Sequence, residues 1–338
     1  LKYVTRPTLK ECKKAAREIE QEIEEGKMIN VGNVRLVSWI KEYLAINKAS
    51  YSPSTRALYQ SYLDTHYEPY FGNMKLKQLN EIHIKRFKNH LLEKMKPSSA
   101  RRVLSALKKM LKECMKDKSP AKDVSLPKAN KPGSKAPTTE EFLQIHEAAR
   151  GTKFEIPILL AGWCGFRRGE IFALKPSDIN FAEGKVRIDE AVSRNEDNQF
   201  EFGAPKSDNG YREEVVPEYL LELLKVEVDA IKAKNKWKKI IKIREDEKDE
   251  QPIIKGRPDN FSTAFGEFIE DNKLPDYRFH DLRHYHATWL FDNGVPDKYA
   301  AKRMGQTVEV LKEIYQHLGV KKQKELEEKI RDIGKTAH

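Results

Sequence analysis

A basic stretch rich in proline divides this chain into two parts, and it constrains the fold more than any other feature. Residues 119–137 hold several lysines, few apolar side chains and four prolines, namely Pro120, Pro127, Pro132 and Pro137. Proline fixes φ and lacks an amide hydrogen, so prolines at this spacing prevent a long helix or a central strand. The sequence therefore predicts an extended basic linker at 119–137, with a separate domain on each side of it.

Residues 31–118 have the pattern of a helical domain. Apolar residues recur every three or four positions, and short polar segments separate the runs. Three helix starts are marked, because Pro53 and Pro97 are typical of a first helical turn and Asn80 is a typical N-cap. A turn is expected at 69–72, where proline and glycine flank two aromatic residues. The pattern predicts a compact bundle of four helices with short loops.

Residues 138–318 combine helical and strand signals. Thr138 precedes two acidic residues, which predicts a helix start, and further helices are expected at 261–268, 280–292 and 297–304. The whole chain is therefore expected to be mainly α with a small β-sheet, the second domain being mixed α/β.

The small sheet is predicted from two turn signals. Short strands are expected in residues 178–189 on either side of a Glu-Gly turn. Residues 201–217 have the pattern of a hairpin, with Asp208-Asn209-Gly210 as its turn. The highly charged residues 225–250 predict a helix followed by a solvated loop rather than a binding segment.

Both ends of the chain carry helical patterns. Residues 1–30 include an amphipathic run at 8–26, which is too short for a domain and is interpreted as a connector helix. Residues 319–338 are expected to form a tail helix, since its apolar side chains lie at helical spacing on a charged background: Leu326, Ile330 and Ile333. We expect this tail either to dock on a second copy of the chain or to pack on its own domain.

The charge balance favours an anionic partner. Lys and Arg number 63 against 52 Asp and Glu, which gives a net charge of +11 and a pI of about 9.2. Nucleic acid is the commonest partner of such a chain, although a basic protein that is merely soluble has the same balance. Two neighbouring helices of the first domain carry candidate phosphate-binding cations: Lys85, Arg86, Lys88, Arg101, Arg102, Lys108 and Lys109.

The cysteines and the hydropathy indicate the cellular compartment. Cys12, Cys114 and Cys164 are far apart, so they give neither a disulfide framework nor paired metal ligands. No apolar run approaches the ~20 residues that a membrane helix needs, and no signal peptide is visible. We expect a reducing, cytoplasmic location and no metal or other cofactor.

Three separated motifs could act together on a phosphodiester. Arg167 lies in a Cys-Gly-Phe-Arg-Arg-Gly-Glu run, Arg283 lies in His-Asp-Leu-Arg-His, and Tyr315 follows near the end. A planar guanidinium can donate two parallel hydrogen bonds to phosphate oxygens, and a tyrosine hydroxyl can attack phosphorus. A single arginine is usually a surface or ion-pairing residue, but this set is typical of phosphoryl transfer.

In order and spacing, these motifs resemble the tyrosine recombinase, or phage integrase, family over residues 31–318. The family's first motif has an acidic residue three positions after its arginine, which selects Arg167 over Arg168 and makes Glu170 its support. Pro205-Lys206-Ser207, followed by Arg212 through Pro217, is similar to the family's β-hairpin lysine segment. The second and final motifs correspond to the residues around Arg283 and to Gly305 through Tyr315.

The resemblance implies a helical core-DNA-binding domain, a catalytic domain and the following roles. Tyr315 attacks the scissile phosphate and forms a 3′-phosphotyrosine, while Lys206 donates a proton to the leaving 5′ oxygen. His280 assists the proton transfer, with His284 beside it. Arg167 and Arg283 stabilise the transition state, and neither ATP nor a metal is required.

One position departs from the family. Its final motif usually has histidine, or sometimes tryptophan, after the glycine, whereas this chain has Gln306. Glutamine can donate a hydrogen bond to a phosphoryl oxygen but cannot exchange a proton near neutral pH. Two other functions therefore stay open: a DNA-binding relative that has lost catalysis, and an enzyme like the type IB topoisomerases.

The histidines near Arg283 offer a metal site as an alternative function for this region. His280 and His284 have the i, i+4 spacing of zinc ligands, and His286 is close in sequence, but the intervening Arg283 would repel a cation. The sequence therefore argues against metal binding here.

The resemblance also implies partners. These are double-stranded DNA with core attachment sites, a homo-tetramer in the synaptic complex, and an excisionase or DNA-bending protein. It further implies an integrase of a phage or conjugative transposon, with an arm-binding domain ahead of the connector at residues 1–30.

Overall fold

The protein was analysed as a computed structural model, which describes residue 8 and residues 11–14, 33–128, 135–205, 210–240 and 251–313, with the side chains of 235–240 excepted. The described residues form two compact units. The first unit holds those up to residue 128 together with Asn195–Asp197, and the second unit holds the others.

Several predictions fall on residues that are not described. They concern most of the connector at 1–30, of which residues 11–14 are helical, and the whole tail at 319–338. Lys206 and Tyr315 also lie outside the described residues. Their predicted roles stay predictions.

The first unit is built from helices, and all of them except the short α3 begin where the sequence predicts. Their bounds are α1 Leu36–Ile46, α2 Pro53–Tyr62, α3 Glu68–Phe71, α4 Glu81–Lys94 and α5 Pro97–Met115. Ser52 caps α2 by accepting a hydrogen bond from the Thr55 amide, and Asn80 caps α4 by accepting one from the His83 amide at 3.1 Å. These caps satisfy amides that have no partner inside the helix, which confirms the predicted starts.

The expected turn at 69–72 is shorter than predicted. A π-helical turn, Leu63–Tyr67, joins α2 to α3, so the helical path passes Pro69 and ends at Phe71. Pro69 lacks an amide hydrogen and would crowd the preceding turn of an ideal α-helix, which the wider π turn relieves. Gly72, with φ of +47°, then ends the helix.

Apolar and aromatic side chains fill the core of the first unit. Tyr67 and Phe87 are fully buried, and their rings meet edge to face with centroids 6.0 Å apart. The Tyr67 hydroxyl donates to the carbonyl of Val103 at 2.8 Å, so burial of this polar atom is compensated.

The first part of the predicted linker packs against this core. Ala121 and Val124 are almost completely buried there, and Pro127 is also buried. We call residues 121–127 the strap.

The second unit combines helices with short antiparallel strands. Its helices are α6 Thr139–Ala149, α7 Glu155–Gly162, α8 Arg168–Ile171, α9 Glu218–Ile240, α10 Pro258–Asp271, α11 Phe279–Asp292 and α12 Asp297–Arg303. Its strands are β1 Ile179–Asn180, β2 Lys185–Ile188, β3 Ala191–Arg194, β4 Phe200–Gly203 and β5 Arg212–Val215. The mainly α fold with a small sheet is therefore confirmed, as are the Thr138 cap and the strands around Gly184.

The hairpin predicted across 201–217 is wrong. Strand β4 pairs with β3, whereas β5 pairs with β2, with Ile188 opposite Arg212. The β3–β4 connection is the shorter one, and Asn198 within it adopts the left-handed conformation with φ of +65°. A short turn rich in Asn and Asp closes at lower entropic cost than the longer 204–211 connection.

Helix α7 lies at the centre of the second unit and is buried along most of its length. Its C-terminal Gly162 lies against Phe142, so close that a Cβ there would come within 2.1 Å of the Phe142 ring. Phe142 in turn stacks on Tyr285 of α11, with ring centroids 4.4 Å apart. This packing fixes α11 against the loop that follows α7. Within the described residues, no helix combines the length and the apolar composition that crossing a bilayer would require.

Candidate active site

The loop after α7 carries the first arginine of the site. Gly165 adopts φ of +69°, and a Cβ there would lie 2.6 Å from the His286 ring, so the sharp turn requires glycine. Two residues later, Arg167 forms the N-cap of α8 and donates from Nη1 to Glu170 Oε1 at 2.8 Å. Its Nη2 donates to the carbonyl of Gly305, and its side chain remains 29% exposed. The Arg167 guanidinium is thus held firmly yet remains accessible.

The second arginine is buried in the second turn of α11. Arg283 is 3% exposed and donates to the carbonyls of Gly165 and Met304. Burial, and after it the positive charge of Arg167, lowers the pKa of Arg283 to about 9, although Glu170 opposes the shift. Arg283 therefore remains protonated at neutral pH.

The two guanidiniums meet at one short loop. Arg283 binds the Met304 carbonyl, Arg167 binds the next carbonyl, and Gly305 adopts φ of +59° to present them. Arg168 turns elsewhere, to Ser262 at 2.6 Å and to an aspartate of α10. The structure thus brings together Arg167 and Arg283, the pair that the sequence indicated.

Gln306 lies beside this pair. Its Oε1 accepts a hydrogen bond from Arg283 Nη2 at 3.2 Å. Its Nε2 is buried and has no hydrogen-bond partner among the residues that the structure describes. Because arginine only donates, the amide oxygen must face Arg283, which leaves the amide N–H groups as unused donors.

Glu170 is the buried carboxylate that holds Arg167 in place. Its side chain is 1% exposed and accepts hydrogen bonds from both Arg167 and Arg212. Burial alone would raise the pKa of Glu170, but the hydrogen bonds and charge of Arg212, with the charges of Arg283 and Arg167, hold it below its usual value. Glu170 is therefore an anion at neutral pH and a fixed acceptor for the guanidiniums.

The two predicted histidines lie next to each other in the first turns of α11. The rings of His280 and His284 meet edge to face with centroids 4.9 Å apart. Partial burial of the imidazole, then the neighbouring His284 and Arg283, lowers the pKa of His280 to about 4, although the residue as a whole is exposed. Neutral imidazole can accept a proton, which suits the predicted role. Burial also lowers the pKa of His284, whose Nδ1 has no partner within the described part of the chain.

A second layer of charged residues, to which the sequence motifs assign no role, lies behind the arginine pair. Arg212 is buried behind Glu170, and Arg303 donates to Glu214 at 2.8 Å and to His286 at 3.2 Å. Burial, together with the charges of Arg303 and Arg283, lowers the pKa of His286 to about 3, so it is neutral. Arg212 and Glu214 are the two buried positions of β5, but the sequence Arg-Glu-Glu-Val shows no alternation that would have indicated this.

The site as a whole is positive. Four guanidiniums, those of Arg167, Arg212, Arg283 and Arg303, meet two buried carboxylates, those of Glu170 and Glu214. A surplus of fixed positive charge with little access to water favours an anion with a delocalised charge, such as a phosphodiester. Across the described residues, no group of three or more His, Cys, Asp or Glu side chains could hold a metal ion.

The candidate DNA-binding cations of the first unit fall into two groups. Three donate to the strap: Lys88 to Ser125 at 3.4 Å, Arg101 to the Pro127 carbonyl at 3.1 Å, and Lys108 to the Lys122 and Val124 carbonyls at 3.1 and 2.6 Å. The other four are exposed on α4 and α5: Lys85, Arg86, Arg102 and Lys109. Of these, Lys85 pairs with Glu81 and Lys109 lies over the Tyr51 ring.

Family comparisons match both parts of the chain. The family described as "Phage integrase family" matches residues 138–322. The family described as "Phage integrase, N-terminal SAM-like domain" matches residues 35–92.

Individual proteins resemble the chain over most of its length. A "Tyrosine recombinase XerC-like" protein of Caldanaerobacter subterraneus subsp. tengcongensis is 25% identical, covering 96% of this chain and 90% of its own. The "ICEBs1 integrase" of Bacillus subtilis is 24% identical, covering 97% of this chain and 92% of its own.

Solved structures have the same fold at low sequence identity. The Tn1549 transposon integrase in complex with transposon right end DNA superposes with a TM-score of 0.69 at 14% identity, covering 83% of this chain and 95% of its own. A lambda integrase dimer bound to a COC' core site superposes with a TM-score of 0.59 at 16% identity, covering 88% of this chain and 86% of its own.

Proposed function

The chain belongs to the phage integrase family of tyrosine recombinases, and we propose that it is a site-specific DNA recombinase that integrates and excises a mobile element. One observation carries the proposal. Arg167 and Arg283 are fixed on adjacent carbonyls of the Met304–Gly305 loop, in a site with a surplus of positive charge. Such a pair can bind the non-bridging oxygens of a phosphodiester and neutralise the charge that develops on them.

Strand cleavage is proposed to proceed through Tyr315. Its hydroxyl oxygen attacks phosphorus, the bond to the 5′ oxygen breaks, and a 3′-phosphotyrosine and a 5′-hydroxyl result. The tyrosine proton must leave during attack because its usual pKa is about 10, and neutral His280 is the proposed acceptor. Lys206 is the proposed donor of the proton that the leaving 5′ oxygen takes up.

Rejoining is the reverse of this step with a new 5′-hydroxyl. The phosphotyrosine ester retains the free energy of the original phosphodiester, so the proposed reaction uses no ATP. The charge stabilisation that a metal ion could supply comes instead from Arg167 and Arg283. We therefore propose a mechanism without a metal or other cofactor.

Gln306 is proposed to take the position that the family usually gives to histidine. Its amide oxygen accepts a hydrogen bond from Arg283, so its N–H groups, which have no partner among the described residues, are the part that can bind a phosphoryl oxygen. An amide donor does not titrate, so this contribution should not depend on pH across the neutral range.

The proposed partners follow from the same reaction. Recombination requires four strand cleavages, so we propose a homo-tetramer on two core sites, with the tail at 319–338 docking on a neighbouring copy. A similar protein, lambda integrase, has been solved as a tetramer bound to a Holliday junction. Excisionase or DNA-bending proteins are proposed as accessory partners.

Covalent trapping tests the proposal. The substrate is a nicked duplex carrying the core site, which protection mapping on the ends of the element would locate. Wild-type protein should form an adduct that survives denaturing electrophoresis, and Tyr315→Phe should form none while binding the duplex with unchanged affinity. Tyr299→Phe, an exposed tyrosine of α12, is the matched control and should behave as wild type.

Three results would contradict this assignment. Binding without an adduct by the wild type would indicate a DNA-binding relative without catalysis. Relaxation of supercoiled DNA without joining of two sites would indicate a topoisomerase-like enzyme. An adduct retained by Tyr315→Phe would mean that another residue is the nucleophile.

A further inference from the structure

We propose that Arg212 is a positioning residue that couples the two arginine motifs of the active site. Arg212 has this role only if the chain performs the recombination proposed above. The residue lies at the start of β5 and is 7% exposed, and the family resemblance assigns it no role in the site. Because it is buried behind Glu170, we infer that it acts through other residues and does not touch DNA.

The Arg212 guanidinium binds three separate segments at once. Its Nε donates to the carbonyl of Arg303 at 2.9 Å. Its Nη2 donates to Glu170 Oε2 at 2.8 Å, and its Nη1 donates to Glu170 Oε1 at 3.2 Å and to the Gly210 carbonyl at 3.1 Å. One side chain thus joins α8, the end of α12 and the residues just before β5.

Each of these segments carries part of the site. Glu170 holds Arg167 through its side chain and also accepts from the Arg167 amide at 2.8 Å. Arg303 is the last residue of α12, and the next two carbonyls are those that Arg283 and Arg167 bind. Displacement of Arg212 would therefore move the acceptors of both catalytic guanidiniums together.

Only an arginine can make this set of contacts. A guanidinium is planar and rigid and presents its donors in fixed, diverging directions, whereas a lysine has a single nitrogen at the end of a flexible stem. Lysine would keep the positive charge that holds the pKa of Glu170 low, but it would lose the simultaneous contacts. Substitution by lysine therefore separates geometry from charge.

The first experiment compares Arg212→Lys with the wild type. Single-turnover cleavage of the nicked duplex at saturating protein should fall about 10- to 100-fold, as is usual when the support of an active-site ligand is lost. The affinity for the duplex should stay within about twofold, since Arg212 is proposed to lie behind the DNA-contacting layer. A purely structural role would instead lower the folded fraction and leave the cleavage rate of bound protein unchanged.

Arg187→Lys is the matched control. Arg187 lies on the adjacent strand β2, is exposed, and pairs with Asp178 at 2.9 Å outside the site. It should cleave at the wild-type rate. If Arg212→Lys also cleaves at that rate, the inference is overturned.

A double-mutant cycle gives a readout that a general loss of stability would not change. In an Arg167→Lys background, the additional Arg212→Lys substitution should lower the cleavage rate by less than about threefold, because both changes disrupt the same contact through Glu170. Losses that simply multiply would mean that Arg212 acts independently of Arg167, which would overturn the coupling.

If Arg212→Lys does not fold, a second variant can test the inference. The paired substitution Glu170→Gln with Arg212→Gln removes both charges of this ion pair together, so neither partner is left buried without the other. It should show the same cleavage defect, and wild-type cleavage by this pair would overturn the inference. If the wild type and Arg187→Lys form no adduct, the proposed function fails, and the role of Arg212 fails with it.

Discussion

The two units of this protein bury different kinds of side chain. The core of the first unit is apolar and aromatic, with rings such as Tyr67 and Phe87 at its centre and cations on its surface. The second unit has an apolar core as well, but it also buries Glu170, Arg212 and Arg283.

This difference between the two cores shows that function restricts the choice of buried residues in the second unit. Removing charges from water costs several kcal/mol per ion, and ion pairing often only offsets that cost. Apolar residues of similar volume would stabilise the second unit at least as well. We infer that the charges are retained because a site that binds a phosphodiester requires guanidiniums that are dehydrated and oriented before the phosphodiester arrives. The first unit has no comparable demand on its interior.

The largest expected effects are on stability, and they test this contrast between the cores. Phe87→Ala should destabilise the first unit by about 3–5 kcal/mol, because it leaves a cavity among packed rings. Glu170→Ala should destabilise the second unit by about 3–5 kcal/mol, because it removes the carboxylate that accepts hydrogen bonds from Arg212 and leaves only the more distant Glu214, at 3.9 Å. Chemical denaturation of each variant and of the wild type measures the two losses of unfolding free energy.

A neutral replacement distinguishes the two causes. Glu170→Leu combined with Arg212→Leu removes the charges as a pair and should recover much of the stability lost in Glu170→Ala, but it should not cleave DNA. No similar recovery is expected for Phe87→Ala. If Glu170→Ala costs less than about 1 kcal/mol, the buried charges are less coupled than their distances indicate.

A smaller effect is expected at Gln306, and on rate rather than stability. Gln306→Ala should raise the barrier to phosphotyrosine formation by about 1–3 kcal/mol, since it removes a donor from a site with little water. Gln306→His should keep or raise the cleavage rate. Single-turnover cleavage measures both, with the exposed Gln144→Ala on α6 as control. Unchanged rates in both variants would mean that Gln306 only supports the local backbone.

The smallest effects should distinguish the two groups of surface cations on the first unit. Arg102→Ala should weaken duplex binding and reduce the slope of log affinity against log salt by about 1, as the loss of one phosphate contact does. Lys108→Ala should mainly release the strap and cost about 0.5–1.5 kcal/mol of stability. Titrations between ~50 and ~200 mM salt measure the slopes. Equal slopes for the two variants would mean that strap binding does not keep Lys108 from DNA.

Local signals predicted most of the helices. The caps at Ser52, Asn80 and Thr138 act within one helical turn, so a single stretch of sequence contains all that is needed. Strand pairing was predicted less well, because β5 pairs with β2 across the intervening β3 and β4. No property of residues 201–217 alone excludes a hairpin between its two halves.

The site was predictable to the extent that its motifs are contiguous in sequence. Arg167 with Glu170, and Arg283 with its flanking histidines, are short patterns that chemistry and resemblance both identify. The role of Arg212 was not predictable from the sequence, because its partners lie 42 and 91 residues away. Its isolated sequence context, Arg-Glu-Glu-Val, is as typical of an exposed strand as of a buried one.

The π-helical turn at Leu63–Tyr67 also sets the helical phase of the first unit's core. Leu63, Tyr67 and Phe71 are spaced four residues apart, and in an α-helix each such step overshoots a full rotation by about 40°. In the wider turn, where the Glu68 amide donates to the Leu63 carbonyl, each residue contributes less rotation, so the overshoot is partly cancelled. All three side chains consequently stay inside, at 0%, 0% and 3% exposure. With ordinary α geometry over the same eight residue steps, the overshoot would reach about 80°, which would turn Phe71 away from the Phe87 ring that it now contacts.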